Sequence, residues 1–68
     1  MSIDMDVVTD ITENRYFDDI DELDCAYADN PLELEIWENM ACRSLTEEEK
    51  HLITNIFAKR WLKAVGRA

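Results

Sequence analysis

Hydrophobic positions recur at helical spacing along most of this chain, and the pattern is clearest in its last third. The apolar residues there share one helical face: Ile53, Ile56, Phe57, Trp61 and Ala64. Thr46 is followed three residues later by Glu49, the spacing of a capping box. Gly66 suits a helix end, because glycine adopts the left-handed conformation that terminates helices. The pattern therefore predicts a helix at about 46–65.

The middle segment also begins with a helix signal. Asn30 can cap a helix, and Pro31 stands at the first helical position, where its missing N–H costs nothing. Two apolar rows follow: Leu34, Trp37 and Ala41 in one, and Leu32, Ile36 and Met40 in the other. The alternation in "LELEI" is also typical of a strand. Leucine and glutamate favour helices over strands, so we predict a broadly apolar, buried helix at about 31–43.

The first half of the chain carries weaker patterns. Four apolar residues line up at helical spacing: Phe17, Ile20, Leu23 and Tyr27. They predict an amphipathic helix at about 17–28 with its acids facing outward. Residues 3–14 contain Val7, Val8 and Ile11, which fit a helix at about 4–13 or a strand equally well. The predicted fold is all-α, a compact bundle of three or four short helices in one domain spanning residues 1–68.

Charge changes this picture more than any motif does. The net charge is −9 in 68 residues. Residues 1–38 hold thirteen acids and one base, Arg15, whereas residues 39–68 hold three acids and six bases. Such an acidic chain repels nucleic acid and anionic membranes and attracts basic surfaces. The N-terminus lacks a signal peptide and no apolar run approaches a membrane span, so we expect a cytoplasmic protein.

Metal and catalytic sites are not predicted. Read as a calcium loop from Asp19, the acidic run offers only two matching ligands and lacks the obligatory glycine. His51 lies off the core face of its helix, and no base stands near Ser2 or Ser44. We therefore expect no enzymatic activity and no cofactor.

The two cysteines do not form a metal or redox motif. Cys25 and Cys42 are too far apart for a C-x-x-C pair, and no histidine is spaced for zinc. Cysteine in such a chain is usually a small core or boundary residue, and two unpaired thiols suit a reducing compartment.

The candidate site is the excess of acids itself. Six of the fourteen residues from Tyr16 to Asp29 are acidic, and no base lies among them. Charges that only keep a domain in solution are normally mixed in sign, so this excess predicts a docking surface for a basic partner. The predicted partner-binding acids are Asp18, Asp21, Glu22, Asp24, Asp29, Glu35 and Glu38. The candidate apolar anchors are Tyr16, Trp61 and Leu62, because a large apolar side chain slows dissociation.

In size, acidity, predicted helical build and lack of a catalytic motif, the chain resembles the small inhibitors that bacteriophages encode against host defence, including anti-CRISPR proteins and DNA mimics. The resemblance implies a non-enzymatic inhibitor that covers the basic, nucleic-acid-binding surface of a protein in the bacterial cytoplasm. An immunity or antitoxin protein would use the same physics. The alternative is a small homodimeric adaptor or regulatory subunit that binds through the apolar faces of the helices at 31–43 and 46–65.

Overall fold

The computed structural model describes residues 3–66, which form four helices and no strand. In chain order the helices are α1 (Met5–Asn14), α2 (Ile20–Asp24), α3 (Pro31–Ala41) and α4 (Glu47–Ala64). The all-α prediction is confirmed, and the ambiguous first segment is a helix. None of the described helices combines the length and the apolar character that crossing a membrane requires.

Helix α1 forms because its start is capped and its apolar residues share one face. The Asp4 side chain accepts hydrogen bonds from the backbone N–H groups of Asp6 and Val7, at 3.1 and 3.4 Å. Val8 and Ile11 are buried one helical turn apart. Packing on this face overrides the strand preference of the β-branched residues.

Helices α3 and α4 begin where the sequence predicted. The Asn30 side chain accepts from the backbone N–H of Leu32 at 3.3 Å, with Pro31 as the first helical residue. Thr46 and Glu49 form the complete capping box at the start of α4. Each cap joins residues only two or three positions apart, so the sequence alone indicates where both helices begin.

Helix α2 is much shorter than the predicted helix at 17–28. Asp19 caps it by accepting from the backbone N–H of Glu22 at 2.9 Å, and Cys25 ends it. Aspartate is a poor helix former, and the like charges of this run oppose a longer helix. A turn then buries Ala26 and leaves Tyr27 exposed, which reverses the predicted burial of Tyr27.

The core lies between α1, α3 and α4 and is built on two aromatic contacts. The Trp37 and Phe57 ring centroids are 5.8 Å apart, and Phe17 meets Phe57 edge to face at 5.1 Å. The buried apolar residues are Val8, Ile11, Ala26, Trp37, Leu45, Ile53 and Phe57. The predicted helical face of α4 therefore packs inward near its middle, whereas Ala64 at its end is exposed.

Only one of the two apolar rows of helix α3 packs against the core along its whole length. Trp37 is fully buried in the first row, with Leu34 and Ala41 partly buried beside the core. In the second row Leu32 is 73% exposed and Ile36 is also exposed. The prediction of a broadly buried helix was wrong for Leu32 and Ile36, because α1 and the core contact only one side of α3. Met40 in the same row is partly buried and packs against the core.

The cysteines are also placed differently from the prediction. Cys25 and Cys42 are both exposed and free rather than filling the core. Cys42 ends α3 in the left-handed conformation, with φ of 58°. Its backbone N–H donates to the Asn39 carbonyl and that of Arg43 to the Glu38 carbonyl, both at 3.3 Å, which is a Schellman end normally given to glycine.

Candidate functional site

The single base of the acidic half is committed to a buried carboxylate. Arg15 donates from Nε to Glu33 Oε2 at 2.8 Å and from Nη2 to Oε1 at 3.0 Å. The indole Nε1 of Trp37 donates to the same Oε2 at 2.8 Å. The hydrogen bond to Glu33 is the main cause that raises the pKa of Arg15 above its usual value. Glu33 is only 5% exposed and Arg15 neutralises it, so this pair adds no net charge to the surface.

A second buried carboxylate, Glu49, is held in the same way. Its oxygens accept from Arg43 at 3.0 and 2.7 Å, from the backbone N–H of Asp4 at 2.9 Å and from that of Thr46 at 3.0 Å. These hydrogen bonds, led by the one from Arg43, lower the pKa of Glu49 to about 2. Glu49 is 1% exposed, and its charge is neutralised within the fold by a second arginine, Arg43.

The predicted partner-binding acids are left without such partners. Six of them are exposed: Asp18, Asp21, Glu22, Asp24, Asp29 and Glu35. Glu38 is partly buried. Within residues 3–66 none of these seven carboxylates forms an ion pair, since the ion pairs there join Arg15, Arg43 and Lys50 to other acids. We call these seven residues the acidic surface.

Two members of the acidic surface also hold the backbone. Glu22 Oε2 accepts from the backbone N–H of Asp18 at 3.2 Å, which supports the start of α2. Glu38 Oε2 accepts from the backbone N–H of Leu45 at 3.0 Å and fixes the connection between α3 and α4. The carboxylates of the other five accept no hydrogen bond from the described residues, so their oxygens are free for a ligand.

The structure does not place the acids in one row along a helix. Because α2 has only five residues, a long ladder of carboxylates with phosphate-like spacing cannot form on it. Asp21 and Glu22 border a cleft of about 330 Å³ together with Arg15, Cys25 and Glu33. Asp19, which the sequence analysis left out of the site, lies at the same cleft but is engaged in capping α2.

Glu35 and Glu38 belong to a separate depression beside the exposed end of α3. It has a volume of about 410 Å³ and includes Leu32 and Leu34. Asp24 borders neither of these two depressions. The charge is therefore spread over a curved surface rather than concentrated at one point.

Asp24 instead borders a mainly apolar groove of about 110 Å³ between the α2 end of the fold and α4. One wall comprises Leu23, Asp24, Ala26 and Tyr27. The other comprises Thr54, Ala58 and Trp61. The backbone N–H of Ala28 donates to Thr54 Oγ1 at 3.1 Å and fastens the turn to α4 beside the groove. We call these seven residues the apolar groove.

The three candidate anchors occupy different surroundings. Tyr16 is 83% exposed, next to the acidic run. Trp61 is half-buried in the wall of the apolar groove, and Leu62 is exposed beside it on α4. The sequence analysis missed Thr54 and Ala58, although the spacing of 54, 58 and 61 marks one stripe of a helix. Their small side chains leave the space that Trp61 borders.

One further residue on α4 has a side chain of chemical interest. His51 is exposed on α4. Across residues 3–66, no three side chains among histidine, cysteine, aspartate and glutamate converge as metal ligands would.

Comparison of this chain with family models, curated proteins and solved structures gives no match.

Proposed function

We propose that this protein is a non-enzymatic inhibitor that binds the basic, nucleic-acid-binding surface of a target protein through the acidic surface. The observation that carries the proposal is the commitment of Arg15 and Arg43 to buried carboxylates. Because these arginines neutralise Glu33 and Glu49, the exposed acids keep their charge and can attract cations on a partner. Such a surface gives fast association that weakens as salt increases.

The resemblance to phage-encoded inhibitors suggests where to look for the target. A CRISPR surveillance complex, a restriction enzyme or a polymerase presents the basic groove that such a protein would cover. Occupation of that groove would exclude the nucleic acid, and the inhibitor would act in the bacterial cytoplasm. The irregular placement of the acids favours complementary charge over imitation of a regular phosphate backbone.

A second candidate function rests on the exposed row of α3. Leu32 and Ile36 lie one helical turn apart and both are exposed, which suits an apolar interface with a second copy or another subunit. An interface of this kind would resist salt, because its stability comes from burial of apolar area. The response to salt therefore separates the two functions.

The test is an affinity pull-down from bacterial lysate with the tagged protein, washed at about 50 mM and then about 1 M NaCl. The variant combines Asp18→Lys, Asp21→Lys and Asp29→Lys. The matched control combines Asp6→Lys, Asp10→Lys and Glu13→Lys, which are exposed on α1. Three reversals of two units each bring either variant from −9 to −3.

The proposal expects a nucleic-acid-binding protein that is released by salt and displaced by its own DNA or RNA. The first variant should lose this protein and the α1 control should retain it. Equal loss in both variants would indicate a non-specific effect of net charge. A partner retained at high salt by every variant would favour the apolar interface of α3.

A further inference from the structure

The apolar groove combines features that suit one inserted side chain. Its volume of about 110 Å³ is somewhat below the ~150 Å³ of a cavity that holds a benzene ring. The groove is open on one side, so an aromatic or branched aliphatic group can enter without being completely enclosed. Tyr27 and Trp61 offer aromatic surface, and Thr54 and Ala58 leave room between α4 and the facing turn.

The walls of this groove are held in place before a partner arrives. The hydrogen bond from Ala28 to Thr54 joins the turn to α4, and Ala26 beneath it is buried. The Asn30 side chain donates to the Cys25 carbonyl at 3.0 Å and closes the turn from its other end. A preformed site loses little conformational entropy on binding, which favours affinity.

The charges around the groove select a basic neighbour for the inserted side chain. Asp24 lies in the wall and Asp29 is exposed two residues beyond Tyr27. Lys59, Arg60 and Lys63 lie away from this side, at about 140°, 120° and 180° around the helix from Thr54. Lys50 lies one turn before Thr54 on the same side, but its charge is paired with Glu47 at 3.2 Å. Approach to the groove is therefore governed by carboxylates.

Resting on the proposed function, we propose that the apolar groove receives one aromatic or branched aliphatic side chain that projects from the basic surface of the partner. The acidic surface accelerates the encounter, and the inserted side chain slows dissociation. Trp61 then acts as part of the receiving site rather than as a protruding anchor. Binding energy is concentrated in such central, desolvated pockets.

The test uses the full chain labelled with ¹⁵N and a five-residue peptide with blocked ends, in which phenylalanine lies between two arginines on each side. One control peptide has alanine at the centre, and another has glutamates in place of the arginines. The protein variant Ala58→Phe fills the groove from an exposed position, and Ala64→Phe adds the same ring at another exposed position of α4. Amide shifts report both the site and the affinity.

The inference expects the phenylalanine peptide to shift the amide signals of Leu23, Tyr27 and Ala58. Alanine at the centre, glutamate flanks or the Ala58→Phe substitution should each weaken binding roughly tenfold or more, whereas Ala64→Phe should change it less than twofold. Circular dichroism of both variants checks that they are folded.

Each contrary result has a distinct meaning. Equal binding of the phenylalanine and alanine peptides would overturn the groove inference and leave the proposed function standing. If the glutamate-flanked peptide binds as tightly as the arginine-flanked one, the groove does not require basic residues beside the inserted side chain. That result would also count against the proposed function. If the free protein self-associates and Ala58→Phe abolishes this self-association, the groove binds a second copy of the chain and not the proposed partner. No binding of any peptide at millimolar concentration would also overturn the inference.

Discussion

Arg43 donates hydrogen bonds to both oxygens of the buried Glu49 carboxylate, with nitrogen–oxygen distances of 3.0 and 2.7 Å. The same carboxylate accepts hydrogen bonds from the backbone N–H of Asp4, which caps α1, and from that of Thr46, which caps α4. One side chain thus joins the start of the first helix to the start of the last. The acids of this chain therefore divide into those that hold the fold and those that remain available to a partner.

The low pKa of Glu49 makes part of the stability dependent on pH. The ordinary value is 4.5 and the folded value is about 2, so the stabilisation is present above the ordinary value and is lost as pH falls toward 2. Glu49→Gln should lower the free energy of unfolding by about 2 kcal/mol near pH 7, because it removes the charge that Arg43 and two N–H groups bind. Urea unfolding of both proteins should show this gap shrinking between about pH 5 and pH 2. A gap that is constant with pH would contradict the role of the ionised carboxylate.

Glu33 and Glu35 lie two residues apart on α3, but the same substitution should destabilise the fold at Glu33 and have little effect at Glu35. Glu33→Gln removes the charge that holds Arg15 and Trp37 together in a buried site, so we expect a loss of about 2–3 kcal/mol. Glu35→Gln should stay within about 0.5 kcal/mol, because Glu35 is exposed. Thermal melts followed by circular dichroism measure both. Similar losses in the two variants would show that burial does not decide the effect.

Replacing Cys42 with glycine should increase the stability of the fold. A residue with a side chain in the left-handed conformation is strained by roughly 1–2 kcal/mol, and glycine avoids that cost at the price of some backbone entropy. We expect Cys42→Gly to stabilise the fold by about 0.5–1 kcal/mol and raise Tm by about 2–6 °C. Cys42→Ala is the control, since it removes the thiol and keeps the strain. An equal gain in both variants would assign the effect to the thiol.

Salt should stabilise the free protein even though it weakens the proposed complex. Raising NaCl from about 10 mM to about 0.5 M screens the repulsion among the exposed acids, so Tm should rise by several degrees. The combined variant Asp18→Asn, Asp21→Asn and Asp29→Asn should show a smaller rise, because it removes part of that repulsion. Differential scanning calorimetry at both salt concentrations checks this. A decrease in Tm with salt would mean that the Arg15 and Arg43 ion pairs dominate instead.

Local signals in the sequence were sufficient for the helix starts but not for the buried carboxylates. Asn30 and Thr46 cap helices through neighbours two and three residues away, which a sequence pattern records directly. Glu49 was recognised as half of a capping box, yet its contacts with Arg43 and Asp4 come from chain folding. Glu33 lies one helical turn before Trp37, but that spacing does not reveal its contact with Arg15, which comes from chain folding.

The acidic segment was harder to predict because its charges and its packing compete. Phe17 and Leu23 do pack against the core, as the periodic pattern indicated. The pattern did not reveal that Asp19 would cap a short helix or that Ala26 would replace Tyr27 inside. As a result the acids could be named from the sequence, whereas the apolar groove beside them could be found only from the fold.

Helix α1 depends on residues far along the chain at both of its ends. The backbone N–H of Asp4, which caps its start, donates to Glu49 at 2.9 Å, and the Thr12 carbonyl near its end accepts a hydrogen bond from Arg60 at 2.6 Å. During synthesis on the ribosome, α1 therefore emerges long before either contact can form. A ten-residue helix is marginal alone in water, so we expect α1 to become stable only when α4 is present and to fold with it in one cooperative step.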